Sequence, residues 1–516
     1  MKRQIYFSGF LKLLALVQAF AAMFILQEAQ AQVAADSSQQ TTKGLTPIQE
    51  LQNDINALID SPDFAYATIG IAVQSLETGD YLYRLNDMKN FVPASTQKLL
   101  TTAAALEYLG PEFQFTTSLY IDGTISRSGE FTGNIIIRGT GDPTLSPVFD
   151  ENPMEIYDLM ALKLDSMGIK TIKGNIIGDD SFFDNIYYPS GWAWDDMLYP
   201  YSAQVNALSV FDNKIDIIIS QGEQVGDLAV IRMKPENSYL TLINSVKTVA
   251  AELPTSVVPV KQANSNTIIL DGDIALDSLK QEIVVSVAID NPTLFFLHLF
   301  KRALEKRKIS HRGALLDIDD CNEKFLYPKL ILVEEHTSAP LKDILPVINR
   351  NSHNLACEML LKAIGKETTG KGSFAKGIEQ VKKFARKSGI STDNVIFVDG
   401  SGLSRLNLIS PRNQINLLSS IFRSDYKDVF IKSLAVPGKN GTLKRRMLKS
   451  LAESNLWAKT GSMNNISSLC GYLRSRDGEY FAFSIMMMNF TVPDSLVQNL
   501  QDLICMRIAG FTRKSK

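Results

Sequence analysis

From Thr68 the run IGIAVQSLETGDYLYRLN sets apolar and β-branched positions on either side of Thr78-Gly79-Asp80. Two strands about a tight turn, a β-hairpin, are predicted. After Val92-Pro93-Ala94 the pattern changes to STQKLLTTAAALEYLG, rich in alanine and leucine and closed by Gly110 and Pro111. Those are the stop signals of a buried helix. Between about 114 and 331 the chain consists of short β-like runs broken by glycine, asparagine and proline: GNIIIRG at Gly133–Gly139, GNIIG at Gly174–Gly178, Ile215–Ile219, Thr267–Leu270 and Glu282–Ile289. This predicts a mainly β insertion of one or two small domains, with a nested one near 205–285. The repeated GNII is too short to establish a duplication.

Helical patterns follow at Pro292–Lys308, Leu341–Ile364 and Gly377–Ser388. LWAKTGSM, SSLCGYLRS and EYFAFSIMMMNF then read as successive antiparallel strands. Pro493-Asp494-Ser495 opens a last helix in which Leu496, Val497, Leu500, Leu503, Ile504 and Ile508 recur at helical spacing. The expected fold class is α+β: an antiparallel sheet flanked by helices from both chain ends, residues 47–113 and 332–513, split by the insertion at 114–331.

Composition changes this picture little. With 516 residues, several domains are expected, and a formal charge of -2 gives no reason to expect nucleic acid as a partner. The N-terminus carries Lys2, Arg3 and Lys12, an apolar run from Leu13 to Leu26 broken only by Gln18, and Ala29-Gln30-Ala31. That order is a secretory signal peptide, residues 1–31, followed by a polar, disordered lead-in at 32–46. The apolar run is shorter than the ~20 residues of a spanning helix. Four cysteines and four histidines are scattered without metal-ligand spacing, so no metal and no cofactor are expected. Each cysteine reads as a small buried hydrophobe, with one disulfide left open.

Chemistry concentrates in three motifs. Ser95-Thr96-Gln97-Lys98 opens the alanine-rich helix, which sets serine and lysine on one face. A lysine whose ammonium is destabilised can take the serine proton. S-x-x-K alone means little, since Ser373–Lys376 and Ser424–Lys427 repeat it and read as surface helix residues. Ser352-His353-Asn354 adds a second hydroxyl to relay a proton and an amide to hold the lysine and a substrate carbonyl. Lys459-Thr460-Gly461, on a strand, offers a carboxylate site and a residue small enough for close approach.

With these motifs the chain resembles the class C low-molecular-mass penicillin-binding proteins, D-alanyl-D-alanine carboxypeptidases/endopeptidases of peptidase family S13. The gap between Ser95 and Ser352 is longer than in the β-lactamases, and GDPTL, DDSFFD, GWAWDDM, DGSGLSR and PGKNGTLKRR agree, so the resemblance spans about 47–513. It implies a serine β-lactamase/transpeptidase-like sheet and an acyl-enzyme on Ser95, with Lys98 as base, Ser352 and Asn354 as relay and clamp, and Lys459 and Thr460 on the substrate carboxylate. Ser95 and Ser462 would supply the oxyanion-hole N–H groups, and Gly461 the close approach. Peptidoglycan stem peptides are the implied partners, β-lactams the covalent inhibitors, and a periplasm the implied location. His353 stands where such proteins often carry aspartate, with little consequence expected.

Asp179 resembles a site for the free amine of a diaminopimelyl side chain, and Arg405 could pair with its carboxylate. The alternative for Asp179 is a turn residue after a strand, and for Arg405 a loop brace. Trp192 and Trp194 read as packing between insertion and catalytic domain. A β-lactamase is the nearest enzymatic rival, but no E-x-x-L-N segment for rapid deacylation is found. A non-catalytic peptidoglycan-binding scaffold would not need Ser95, Lys98, Ser352, Asn354 and Lys459 together.

Overall fold

The hairpin forms as expected. Thr68–Ser75 and Tyr81–Leu85 pair antiparallel, and the other edge of Thr68–Ser75 pairs with Tyr480–Met488, so the two chain ends close one sheet. The computed structural model describes residues 45–513 apart from 150–151, 264, 278, 280–281 and 322–324; the expected signal peptide and residues 32–44 of the expected lead-in lie outside the described residues. Leu51–Arg513 form one compact unit.

The first sheet has five strands in the order Leu456–Met463, Ile466–Arg474, Tyr480–Met488, Thr68–Ser75, Tyr81–Leu85. Ile466–Arg474 is buried at every position but the last. Successive side chains on a strand face opposite ways, and both faces here are covered. Tyr472 donates its hydroxyl to the Leu418 carbonyl in the helix Pro411–Phe422 (2.8 Å), while Ser467 accepts from Gln501 in the helix Asp494–Ala509 (3.0 Å). That last helix is narrower in its buried stripe than its spacing predicts: Val497, Leu500, Ile504 and Ile508 are buried, but Leu496 and Leu503 stay exposed.

The insertion builds its own sheet. Thr116–Ile125 and Glu130–Gly139 form a hairpin, Ile331–Thr337 pairs antiparallel with the first, and Ile176–Asp179 runs parallel to the second. The two GNII segments are neighbours in register, Ile135 beside Ile176 and Ile136 beside Ile177. A Cβ on Gly174 would stand 1.8 Å from the Gly133 carbonyl oxygen, so the repeated glycine answers to two backbones meeting at one level. The helices Glu155–Ser166 and Pro292–Lys306 pack together there, with Tyr157 and Phe296 rings 4.7 Å apart. Two small sheets follow within 214–288, and the insertion's apolar cluster is separate from the one around Phe91, Leu99 and Tyr472.

Two details depart from the sequence pattern. The stretch Leu341–Ile364 is two helices, Leu341–Arg350 and Asn354–Thr369, and Ser352 sits in the break. No disulfide joins the four cysteines, all of them described residues; Cys357, Cys470 and Cys505 are buried, as small hydrophobes are, while Cys321 is half-buried.

Candidate active site

Ser95 lies in a 3₁₀ turn, Ala94–Gln97, that runs into the helix Lys98–Leu109. The turn is pinned where it enters. Ala94 has φ 47°, in the left-handed region, and its carbonyl rests against Gly402 so closely that a Cβ there would come within 1.9 Å. Pro93 O accepts from the hydroxyls of Thr96 (2.8 Å) and Ser468 (2.6 Å). A loop and the central sheet thus hold the serine together.

Lys98 is fully buried, and its Nζ contacts three oxygens: Ser95 Oγ at 2.9 Å, Asn354 Oδ1 at 2.6 Å and the Ser401 carbonyl at 2.7 Å. The orientation of the Asn354 amide follows from its other end, where Nδ2 donates to the Tyr201 carbonyl (2.8 Å). Amide and peptide oxygens can only accept, so Nζ must donate to both. Ser95 Oγ is the one neighbour able to donate back. A neutral Lys98 would therefore aim its lone pair at the Ser95 proton. Burial pushes the Lys98 ammonium below its usual range, against the opposing pull of Cys357, Glu358 and Asp399.

Ser352 has φ 63°, a left-handed backbone in the break between two helices. His353 caps the second helix, its Nδ1 accepting from Ala356 N–H (3.2 Å), and its Nε2 donates to Asp212 Oδ1 of the insertion (3.0 Å). It points to the insertion.

Lys459, Thr460 and Gly461 lie on the edge strand Leu456–Met463. Lys459 is fully buried, its Nζ 2.8 Å from Thr460 O, and held well below the usual lysine range by burial first and by the charge of Lys98 second. Thr460 shares a 2.8 Å hydroxyl contact with Thr442. A Cβ on Gly461 would lie 2.3 Å from Ser468 Oγ, 2.7 Å from Pro93 O and 3.0 Å from Ser95 N. Only glycine lets this strand lie against the serine. Ser462, the next residue, is exposed.

Asp179 and Arg405 are not brought together. Asp179 ends the strand Ile176–Asp179, is buried, accepts from the Tyr327 hydroxyl and from Ser181 N–H (2.8 Å), and has Arg138 Nε at 3.7 Å. Arg405 instead donates to the Asn464 carbonyl (2.9 Å), just beyond the Lys459 strand. The residues flanking Arg405 touch another segment that carries acids. Gly191 packs so tightly on Ser404 and Leu406 that a Cβ would come within 2.3 Å of Ser404 Oγ, and Asp195 and Asp196 follow four and five residues on. Asp196 accepts from the Tyr201 hydroxyl (2.6 Å), on the residue whose carbonyl holds Asn354.

The packing reading of the two tryptophans holds for one of them. Trp192 is buried and donates to Asp399 (3.1 Å), whereas Trp194 is 83% exposed and packs no domains together. Single-sequence spacing could not separate two tryptophans two residues apart in a loop.

A buried carboxyl pair was missed. Glu358 accepts from Gly400 N–H (2.9 Å) and Ser401 N–H (2.7 Å), while Asp399 accepts from Gly402 N–H, Ser404 N–H and Asn407. Burial pushes both carboxyls up, Glu358 to about 8. Together they shape the loop that gives Lys98 the Ser401 carbonyl. The signal available was a glutamate inside the apolar run LACEMLL.

A family model described as "D-Ala-D-Ala carboxypeptidase 3 (S13) family" matches residues 51–506. The chain is 32% identical to a D-alanyl-D-alanine carboxypeptidase of Actinomadura sp. (strain R39), over 90% of this chain and 85% of that one. It is 27% identical to D-alanyl-D-alanine carboxypeptidase DacB of Haemophilus influenzae, over 83% and 87%. The crystal structure of penicillin binding protein 4 (dacB) from Haemophilus influenzae superposes with a TM-score of 0.74 at 26% identity, covering 88% of this chain and 97% of that one. The same protein complexed with a β-lactam gives a TM-score of 0.71 at 25% identity, again covering 88% and 97%.

Proposed function

The chain belongs to the D-Ala-D-Ala carboxypeptidase 3 (S13) family, and from that premise we propose that it works as a serine DD-carboxypeptidase and DD-endopeptidase on peptidoglycan stem peptides, through an acyl-enzyme on Ser95. Neutral Lys98 takes the Ser95 proton as Oγ attacks the carbonyl of the penultimate D-alanine. The N–H groups of Ser95 and Ser462 receive the oxyanion, where a single donor is worth ~3–4 kcal/mol. Ser352 relays the proton to the leaving nitrogen, the C–N bond breaks, and water later releases the acyl group. Asn354 clamps Lys98 and the substrate, and Lys459 with Thr460 receives the terminal carboxylate. Gly461 admits the substrate backbone.

The observation that carries this reading is the Lys98 contact set, two obligate acceptors and one hydroxyl, in a site that disfavours its charge. When the leaving amine belongs to D-alanine the step is a carboxypeptidase cut; when it belongs to a second stem peptide it is an endopeptidase cut. Penicillin would acylate the same serine and leave slowly. Digestion of purified sacculi, with the released peptides identified by mass, tests both cuts: free D-alanine and split cross-links are expected, and intact peptides would refute the reading. The leader pattern at 1–31 and a wall substrate support action in the periplasm.

Side-chain recognition is a separate part of the proposal. Arg405 offers a guanidinium to a substrate carboxylate beside the Lys459 strand. Asp179 is buried and engaged by Tyr327, whereas Asp195 is exposed and Asp196, half-buried, accepts from Tyr201, in the segment that follows Gly191. Comparing Asp179→Asn with Asp196→Asn on diaminopimelyl and lysyl peptides assigns the amine site to whichever change loses the preference.

A further inference from the structure

Phe211, Asp212 and Asn213 hold φ of 52°, 56° and 52°, three consecutive left-handed residues without a glycine among them. Such a run is unfavourable at each residue and persists only where its surroundings fix it. Here Asn213 does much of the fixing: its Nδ2 donates to Gln204 O (2.8 Å) and Ser209 Oγ (3.0 Å), while Phe211 N–H reaches Leu145 O (2.8 Å). The tip of this turn is Asp212, nearly buried, whose Oδ1 accepts from His353 Nε2 (3.0 Å). Because His353 Nδ1 accepts from Ala356 N–H, the single ring proton sits on Nε2, and both nitrogens are used. The Phe149 ring packs edge-on against the imidazole at 5.8 Å.

His353 stands between Ser352 and Asn354, in the break where Ser352 is itself left-handed. Asn354 is tied to Lys98 and Tyr201, so one end of the tripeptide is anchored to the catalytic domain. The imidazole anchors the middle to the insertion. We propose that Asp212 and His353 are positioning residues, a strap by which the insertion holds the Ser352 turn so that its hydroxyl stays aligned for proton transfer to the leaving nitrogen. Neither touches a reacting atom. The expectation that His353 has little consequence is thereby replaced: its side chain is turned from the substrate but fixes the residue that faces it. This rests on the reading of Ser352 as the relay.

The test uses the mature chain, with penicillin acylation rate and kcat and KM on a D-alanyl-D-alanine peptide as readouts. Asp212→Gly removes the acceptor while glycine tolerates φ 56°. His353→Asn keeps a helix cap but is too short to reach Asp212. Each should lower kcat and acylation by about 10–100-fold, the scale of a misaligned catalytic group, with KM changed by less than about threefold. Asp212→Asn, which keeps an acceptor and tolerates the left-handed backbone, should stay within about threefold of wild type. In a Ser352→Ala background Asp212→Gly should add no further loss, which a merely structural role would not produce. Wild-type rates in both strap variants, an equal loss in Asp212→Asn, or a full further loss on top of Ser352→Ala would overturn the strap. Should Asp212→Gly fail to fold, His353→Asn decides alone. Ser352→Ala with unchanged kcat would bring down the relay and the strap together, whereas a crippled Ser352→Ala beside intact strap variants would sink the strap only.

Discussion

Ser95-x-x-Lys98 and Ser373-x-x-Lys376 share a pattern and little else. At the first, Lys98 is fully buried and its ammonium meets the serine hydroxyl and two carbonyl-type oxygens. At the second, Ser373 caps the helix Phe374–Lys387 through its hydroxyl, whose Oγ accepts from the Lys376 backbone N–H (3.2 Å), and the Lys376 side chain is 39% exposed and paired with Glu379 (2.7 Å). The third copy differs again: Ser424 bonds the Ile421 carbonyl (2.8 Å) in a turn, and the Lys427 ammonium lies over the Phe422 ring (3.7 Å). Spacing places two groups on one face; only burial and a competing set of acceptors single out one of them as the candidate base.

Breaking the first site should have the largest effect. Ser95→Ala should abolish covalent penicillin labelling, read by intact mass, and lower turnover by about 10⁴–10⁶-fold, while Ser373→Ala leaves both unchanged. Label appearing on Ser373 or Ser424 would reverse the comparison. Next, Lys98→Arg keeps a cation but loses a removable proton, and acylation should slow by about 10³-fold or more; Lys376→Arg should match wild type. The pH profile sharpens the point. Because Lys98 must be neutral to accept the Ser95 proton and its range is lowered by burial, acylation should fall as pH drops and rise as pH climbs through that lowered range. A flat profile would remove the base role.

Gly461→Ala should lower kcat/KM by about 10²-fold, since the new methyl must displace Ser468, Pro93 or Ser95 itself. A smaller effect concerns stability. Glu358 is raised to about 8 in the folded chain against about 4.3 unfolded, so the folded state keeps a proton that the unfolded state has lost. That contribution is whole below the unfolded value and disappears as pH rises through about 8; Asp399, raised as well, has the same sign. Melting temperature should therefore fall more between pH 5 and 9 in wild type than in Glu358→Gln. Smallest of all, Lys376→Ala should cost no more than about 0.5 kcal/mol in a denaturant titration, as an exposed pair does.

The periodic parts of the chain were legible. Val497, Leu500, Ile504 and Ile508 are buried on the last helix as their spacing requires, and the hairpin at Thr68–Leu85 closes about its turn residues. The three motifs were readable too, because each is a set of residue types at short fixed spacing, although the helix break that holds Ser352 was not. Residues in loops were not. Asp179 and Asp196 are both acids in polar segments, and nothing in their neighbours says that Tyr327 closes over one while the other stays partly open. Glu358 was visible only as an acid in an apolar run, without its partners at 400 and 401.

By itself, then, the sequence determined most of the elements and which motifs are the candidates for chemistry, because helix and strand periodicity and motif spacing are local properties of the chain. Tertiary structure supplied the burial and the acceptors that set one S-x-x-K pair apart from the other two. It also put Asn354, from 256 residues away, within 2.6 Å of Lys98, and turned His353 toward Asp212, 141 residues distant. Desolvation and hydrogen bonding act through space, and residues far apart in sequence set them.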